Sequence, residues 1–383
     1  MKKYFYAALL MMVSIFVLTA CANAADGNDE MRIGMISPLT GGASVFGIAA
    51  RDGAVLAFEE INEAGGLLGL PVNFIINDDM HQAAESLTAF DRLVNQDNVV
   101  AIVGPVTSGP ANAVAAAAVA DRLPMISPTA THQDVTSHGD FMFRACFLDA
   151  YQAHTMATFA RQNLGVQTAA ILFDSGMAYS EGLATNFHRF FEQMGGTVVA
   201  NEAYMTGDVD FRTQLTTIRA ASPDVLFIPD YFTVIALVAA QVRELELDAT
   251  LLGADGWEGV LGMLDDPSLL DGAFFSAHFA ADDPNPLVQN FVRNYTTRFG
   301  TPPNSFAALG FDAANILAQA IENAGTTDSD AIITAMQNIN FYGVTGHITF
   351  DQQGDPIKDI VVLTIETTGT ETETRLYHRF AAN

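Results

Sequence analysis

The chain alternates short apolar runs with longer segments in which apolar residues recur every three or four positions. Residues 31–37 and 99–103 are typical of buried strands, whereas residues 48–64 have the spacing of an amphipathic helix. Up to residue 128 the same pattern predicts further strands at 71–76 and 124–126 and further helices at 81–95 and 110–122. Strands that alternate with helices indicate a parallel sheet with helices on both faces.

The alternation then restarts and gives a second unit of the same design. It predicts helices at 151–164, 179–194, 210–221 and 233–245, with strands at 168–173, 196–200, 225–228 and 251–252. After residue 277 the order changes to helices at 286–299, 305–323 and 328–337, followed by strands at 346–350, 359–366 and 372–380. The last of these alternates polar and apolar residues, as an exposed sheet edge would. We therefore predict an α/β protein of two doubly wound βα lobes, in which ligands bind beyond the carboxyl ends of the strands.

The N-terminus has the pattern of an export signal. Lys2 and Lys3 precede an apolar run at 7–18 that is too short to be a good membrane span. The following Leu18-Thr19-Ala20-Cys21 resembles a bacterial lipobox, which predicts a signal peptide at 1–20, lipid attachment at Cys21 and a tether at 21–30. The alternative is an ordinary signal peptide cut near residues 22–25.

Composition narrows the class of protein. The chain has 383 residues, half of them hydrophobic, and a formal net charge of −27. This length suggests two domains, and so acidic a surface repels nucleic acid and anionic lipid. With Cys21 acylated, Cys146 has no disulfide partner, and its apolar neighbours predict a buried thiol. Lys358 is the one lysine after the predicted signal peptide. Acid-rich, lysine-poor surfaces occur in salt-adapted proteins and in ordinary secreted proteins alike.

Two stretches at predicted strand ends form a candidate binding site. Residues 104–110 and 127–131 are rich in Gly, Pro, Ser and Thr, and the first of them leads into an alanine-rich helix. Hydroxyl groups and helix N-terminal N–H groups together suit a small anion, most simply a carboxylate.

Several short motifs, taken in their order and spacing, resemble the periplasmic binding proteins of branched-chain amino acid ABC transporters. These motifs are Pro38-Leu39-Thr40-Gly41, Ala57-Phe58-Glu59-Glu60-Ile61-Asn62 before Gly65-Gly66, Asn77-Asp78-Asp79, residues 104–108, residues 127–131, Tyr179-Ser180-Glu181-Gly182, Asp210-Phe211, Gly253-Ala254-Asp255-Gly256 and residues 307–313. The resemblance implies the type I fold, in which two lobes are joined by a three-crossing hinge and close over a ligand like a Venus flytrap. It places lobe 1 at 31–144 and 278–342, and lobe 2 at 145–277 and 343–383.

The resemblance also implies ligand-binding residues. Hydroxyls for the carboxylate and part of the ammonium of an amino acid would come from Ser108, Thr129 and Thr131, with Ala130 offering only its backbone. The second lobe would contribute Tyr179 and Tyr231, which close over the ligand, and Asp255 for the ammonium, at a position where relatives have Glu. A slot for the ligand side chain could be lined by Phe46, Val106, Tyr179, Tyr231, Trp257 and Phe311, with Phe46 and Phe311 at positions where relatives carry tyrosine. Some relatives carry a pair of cysteines that this chain lacks. Here His81 and Thr107 lie near the positions of that pair.

Structural alternatives exist for five of these residues. Ser108 and Thr131 could cap helices, Asp255 could be a turn residue, Trp257 could lie in the core, and Tyr179 could cap a helix by apolar contact.

The sequence contains no phosphate-binding GxxxxGK[ST] loop, GxSxG elbow or HExxH pair, and its eight histidines form no pair at metal spacing. We therefore expect neither an enzyme nor a metal or other cofactor. The predicted function is that of an extracytoplasmic, lipid-anchored, monomeric binding protein that delivers an aliphatic amino acid to an ABC permease. The alternatives are a binding protein for a small amide, urea or carboxylate, and a sensor that signals to a receptor.

Overall fold

The computed structural model describes residues 30–382, which form three sheets and ten α-helices. The predicted signal peptide, Cys21 and all of the predicted tether except Glu30 lie outside this range. In the part of the chain that is described, no helix is both long enough and apolar enough to cross a membrane.

The first sheet is parallel and has the strand order β2-β1-β3-β4-β5. Its strands are β1 (Met31–Ser37), β2 (Val72–Asp78), β3 (Ala101–Val103), β4 (Met125–Ser127) and β5 (Met142–Arg144). The helices between them are α1 (Ser44–Glu63), α2 (Ala83–Asn95) and α3 (Ser108–Asp121), followed by a 3₁₀ turn at Gln133–Thr136. All residues of β3, β4 and β5 are buried, as expected for inner strands covered on both faces.

The second sheet has seven strands in the order β15-β14-β10-β9-β8-β6-β7. Its strands are β6 (Thr168–Asp174), β7 (Thr197–Tyr204), β8 (Val225–Phe227), β9 (Thr250–Gly253), β10 (Phe274–Ala277), β14 (Ile360–Thr368) and β15 (Glu371–Phe380). Its helices are α4 (Asp149–Thr158), which continues as a π-helical turn at Phe159–Asn163, α5 (Ala178–Gln193), α6 (Arg212–Ala221) and α7 (Phe232–Glu244). The last two strands run antiparallel to their neighbours, and β15 forms the predicted exposed edge.

Between β10 and β14 the chain leaves the second sheet. It forms α8 (Pro286–Phe299), α9 (Ser305–Ala324) and α10 (Ser329–Gln337), and then a small antiparallel sheet of β11 (Phe341–Gly343), β12 (Gly346–Phe350) and β13 (Pro356–Ile357). Helix α9 crosses α1 so closely that a Cβ at Gly53 would lie 1.9 Å from the Ala307 carbonyl oxygen, and one at Gly310 would lie 2.0 Å from that of Ala50. The crossing therefore depends on glycine in both helices, and it returns α9 to the first sheet.

The small sheet also lies on the first-sheet side. The ring of Phe350 packs 5.0 Å from that of Phe143 in β5, and the Arg144 N–H donates to the Gly354 carbonyl at 3.3 Å. These contacts place β12 and β13 beside the first sheet, whereas the sequence assigned everything after residue 342 to the second lobe. We therefore propose that the third hinge crossing lies near Lys358. The remaining lobe boundaries stay a prediction.

Candidate functional site

A small, nearly filled cleft lies where the carboxyl ends of the first sheet face those of the second. Its side chains leave a cavity volume of about 10 Å³, roughly the room that one water molecule needs. It is lined by Phe46, Val106, Thr107, Ser108, Thr129, Thr131, Tyr179, Tyr231, Asp255, Gly256 and Phe306. Eight of the eleven ligand-binding residues predicted from the sequence are in this set.

One wall of the cleft is the N-terminus of α3. Gly104, just after β3, has φ +118°, and a Cβ there would lie 2.3 Å from the Ile36 carbonyl oxygen, so only glycine fits at this bend. The bend turns the chain into α3, whose first residues are Ser108 and Gly109. The N–H groups of a helix's first turn have no partner within the helix, and they carry the positive end of its dipole. This wall is therefore suited to a carboxylate.

Two hydroxyl groups beside that wall are fixed by the backbone. The Thr129 hydroxyl donates to the Val106 carbonyl, so towards the cleft it can only accept a hydrogen bond. The Ser108 hydroxyl accepts from the His132 N–H at 3.3 Å, which leaves its own proton free to donate. Ser108 therefore suits a carboxylate, and Thr129 suits an ammonium.

Ala130 does not take the role expected for it. Its N–H donates to the Ser127 hydroxyl at 3.0 Å, and its carbonyl accepts from Arg144 Nη1 at 2.9 Å. Both backbone groups are thus engaged within the protein, which is why Ala130 is absent from the cleft lining.

Opposite α3, Asp255 presents a buried carboxylate at the end of β9. Its Oδ1 accepts hydrogen bonds from the Tyr179 hydroxyl at 2.7 Å and from Gln152 Nε2 at 3.1 Å. Its Oδ2 lies 3.0 Å from His278 Nε2. Asp255 is only 2% exposed. Its orientation is fixed by the three side chains that bind its carboxylate.

All three partners of Asp255 are neutral near neutral pH. Burial lowers the pKa of His278 to about 4, more than its hydrogen bond to Asp255 raises it, so a neutral imidazole donates through Nε2–H. In residues 30–382 no arginine or lysine nitrogen lies within 4.0 Å of Asp255. The buried arginine and lysine of that range are bonded elsewhere: Arg144 Nε lies 2.6 Å from Asp355, and Lys358 Nζ donates to Thr345 Oγ1 at 2.7 Å. The Asp255 carboxylate is oriented but has no counter-charge.

Aromatic rings close the rest of the cleft. Phe46 and Phe306 stack in parallel with ring centroids 4.3 Å apart, and the edge of Tyr231 meets Phe46 at 5.1 Å. Tyr179 lies 5.1 Å from Tyr231. Since Phe46 comes from the first-sheet side and Tyr231 from the second, these rings also join the two halves.

Two other predicted residues lie outside the cleft. Trp257 is fully buried in the core and donates through Nε1 to the Ile228 carbonyl at 2.8 Å. Phe311 packs 4.9 Å from Phe291 of α8, on the far side of α9. Phe306, one and a half turns earlier in α9, occupies the place expected for Phe311. A structural role for Trp257 was the alternative left open by the sequence.

Three lining residues escaped prediction: Thr107, Gly256 and Phe306. Gly256 borders the cleft because no side chain fits there, since a Cβ would lie 2.8 Å from the Tyr179 hydroxyl oxygen. The signal for Phe306 was its position as the second residue of a helix, two residues after the Asn304 cap. Gln152 and His278 were also missed, and nothing in their local sequence points to Asp255.

The chain matches the family model of periplasmic binding proteins over residues 30–370. It therefore belongs to the periplasmic binding protein family, whose members work outside the cytoplasm. A Leu/Ile/Val-binding protein of Rhizobium johnstonii is 30% identical over 349 residues, which cover 90% of this chain and 94% of the relative.

Solved structures agree with this assignment. A leucine-binding protein of Thermotoga maritima has a TM-score of 0.83 and 32% identity, covering 90% of this chain and 98% of its own. A branched-chain amino acid transporter substrate-binding protein of Streptococcus pneumoniae in complex with isoleucine has a TM-score of 0.84 and 27% identity, covering 91% and 99%. These likenesses confirm the predicted α/β fold class and the predicted family.

The structure also bears on two other predictions. Cys146 is fully buried, as predicted, and burial raises the pKa of its thiol far above the usual range. In the described range, no three His, Cys, Asp or Glu side chains are arranged to hold a metal ion.

Proposed function

We propose that the protein is the solute-binding component of an ABC importer and that it binds an aliphatic amino acid, such as leucine, isoleucine or valine, in the closed cleft. One observation carries the proposal: the Asp255 carboxylate is buried, receives three hydrogen bonds from neutral donors and has no counter-charge. An unpaired buried charge is unfavourable. A ligand ammonium would supply the missing charge.

The other end of the cleft supports an amino acid rather than a simple amine. The first turn of α3 and the Ser108 hydroxyl offer donors for a carboxylate, while Thr129 offers an acceptor beside them. An α-amino acid carries both charges on one carbon, so it can meet both ends at once.

The aromatic wall supports an aliphatic side chain. Phe46, Phe306 and Tyr231 nearly fill the cleft, which keeps a cavity volume of about 10 Å³, so these rings would have to move apart to admit a ligand side chain. Burying a side chain of Val or Leu size there would contribute about 1.5–3 kcal/mol. Each charge-assisted hydrogen bond would add about 1.5–3 kcal/mol. After ordering costs, these contributions are compatible with a micromolar Kd, about −8 kcal/mol.

The similar proteins named above are described as binding leucine, isoleucine or valine, which agrees with this proposal. In that setting the partner is a membrane permease, the protein acts as a monomer, and Cys21 attaches it to a membrane through a lipid. A ligand without an amino group, such as a carboxylate, urea or an amide, would leave Asp255 uncompensated. A sensory role would use the same cleft and differ only in its receptor.

Isothermal titration of the mature protein with the twenty amino acids, small amides, urea and small carboxylates tests the proposal. We expect one site per chain, with leucine, isoleucine or valine among the tightest ligands. Tighter binding of a ligand that lacks an amino group would contradict it. Mass spectrometry of the membrane-associated protein would separately test the lipid on Cys21.

A further inference from the structure

A second buried carboxyl group lies directly behind the cleft. Asp149 is the first residue of α4 and is 3% exposed. Its backbone N–H donates to the carbonyl of Thr131, a lining residue, at 3.0 Å. Asp149 thus adjoins the wall of the cleft without lining it.

Gln152 joins this carboxyl to the one in the cleft. Its Nε2 donates to Asp149 Oδ1 at 3.1 Å and to Asp255 Oδ1 at 3.1 Å. Its Oε1 accepts from the Ser276 hydroxyl at 2.8 Å and from the Asp255 N–H at 3.3 Å. Every polar atom of this amide is used, so a change at Asp149 is transmitted to Asp255 by a single side chain.

The second oxygen of Asp149 is unpartnered. Its Oδ2 is buried and receives no hydrogen bond from residues 30–382. One other carboxylate oxygen in that range shares this condition, Asp97 Oδ2, which lies 3.6 Å from Arg92. A buried oxygen without a donor favours the protonated, uncharged carboxyl group.

We propose that Asp149 is a proton-linked positioning residue for the ammonium subsite. This inference rests on the proposed function. In the ligand-free protein the Asp149 carboxyl holds a proton at slightly acidic pH. When the ligand's ammonium reaches Asp255, the added positive charge favours ionised Asp149, its O–H bond breaks, and the proton passes to the solvent.

The electrostatics of the surroundings agree with this geometry. Burial above all, together with the Asp255 charge, raises the pKa of Asp149 to about 7. The rise is opposed by the Thr131 hydroxyl, which lies near the carboxyl group without making a hydrogen bond of standard geometry, and by Gln152 and Arg144. The ionisable groups that face Asp149 are Asp255, Arg144, Cys146, Tyr179 and Tyr231. Burial raises the pKa values of Cys146 and both tyrosines, so these groups stay neutral. The Arg144 charge is held by Asp355.

The proton count on binding is the decisive readout. Leucine is titrated into the mature protein at pH 6.0 in phosphate and in bis-Tris, whose ionisation enthalpies differ, and again at pH 8.0 in phosphate and in Tris. With a pKa near 7 in the free protein, we expect nearly one proton released per leucine at pH 6.0 and few at pH 8.0. Leucine affinity should fall about tenfold from pH 8.0 to pH 6.0.

Two variants make the assignment specific. Asp149→Asn keeps an acceptor for Gln152 but cannot ionise, so it should release no proton and show a flat affinity profile. Glu258→Gln is the control, since burial also raises the pKa of Glu258 to about 7; it should keep the wild-type proton count. Proton release that persists in Asp149→Asn would overturn the assignment.

The wild-type titration also separates this inference from the function on which it rests. Leucine binding without proton release at pH 6.0 would overturn the inference alone. This result comes from the wild-type protein, so it does not depend on whether a variant folds. No binding of any aliphatic amino acid at pH 8.0 would overturn the proposed function, and this inference with it.

Discussion

Replacement of Asp255 by Asn should separate the ligand's ammonium from the rest of the ligand. The variant keeps the size of the side chain but removes the charge that lacks a counter-charge. Losing one partner of a buried charged pair costs about 2–5 kcal/mol. Leucine binding should therefore weaken roughly 30- to 5,000-fold. We expect no such loss for 4-methylpentanoate, which is leucine without its amino group.

The assay is isothermal titration of both ligands into both proteins at pH 8.0. The preference for leucine over 4-methylpentanoate should be large in the wild type and should largely disappear in Asp255→Asn. A thermal scan of the ligand-free variant serves as the folding control. The scan need only show that the variant is folded at the titration temperature, because Asn turns an N–H donor towards side chains from which the carboxylate accepted hydrogen bonds. Equal losses for the two ligands would refute the ammonium role of Asp255.

Three further predictions concern the same region. Gly256→Ala places a Cβ 2.8 Å from the Tyr179 hydroxyl oxygen. It should weaken leucine binding at least tenfold in titration, while its circular dichroism spectrum stays unchanged. Wild-type affinity for leucine would contradict this. Phe306→Ala should reduce leucine affinity more than Phe311→Ala does, because of these two residues only Phe306 lines the cleft. Both variants should have a lower melting temperature than the wild type. Equal losses of leucine affinity would count against the cleft assignment. The Asp149 carboxyl has a pKa of about 7 in the folded chain and near 3.8 when unfolded, so it destabilises the ligand-free protein increasingly as pH rises from about 4 to 7. Asp149→Asn should therefore raise the free energy of unfolding by up to about 4 kcal/mol at pH 8 and leave it unchanged near pH 3.5, as urea unfolding would measure.

Apolar periodicity was sufficient to predict most of the elements. The helices predicted at 286–299 and 305–323 correspond to α8 and α9, which differ from them by at most one residue. Strand β5 was missed because Met142–Arg144 ends in a charged arginine, which breaks the apolar run that marked the equally short β3, β4 and β8. Strand β10 was missed because Phe274–Ala277 is an unbroken run between turns rather than an alternating one. Helix α1 begins four residues before its predicted start because the loop at 40–43 already turns into it.

The candidate site was predicted in part, and the missing residues share a physical reason. Ser108 and Thr129 follow strands in the sequence, so their chemistry and position were both visible in the pattern. Gln152 and His278 act on Asp255 from 103 and 23 residues away, and only the tertiary fold brings them there. The exchange of Phe311 for Phe306 is a difference of helical phase: α9 turns Gly310 towards α1, and Phe306, four residues earlier, lies on the same face and stacks on Phe46.

The most direct test of the account is a comparison of leucine with two analogues that each lack one charged group. Isothermal titration of the mature wild-type protein at pH 8.0 would use leucine, 4-methylpentanoate, which lacks the ammonium, and 3-methylbutylamine, which lacks the carboxylate. We predict one leucine site per chain with micromolar or tighter affinity, and at least 30-fold weaker binding of both analogues. Binding of either analogue as tightly as leucine, or no binding of leucine, isoleucine or valine, would contradict a cleft built for an aliphatic zwitterion.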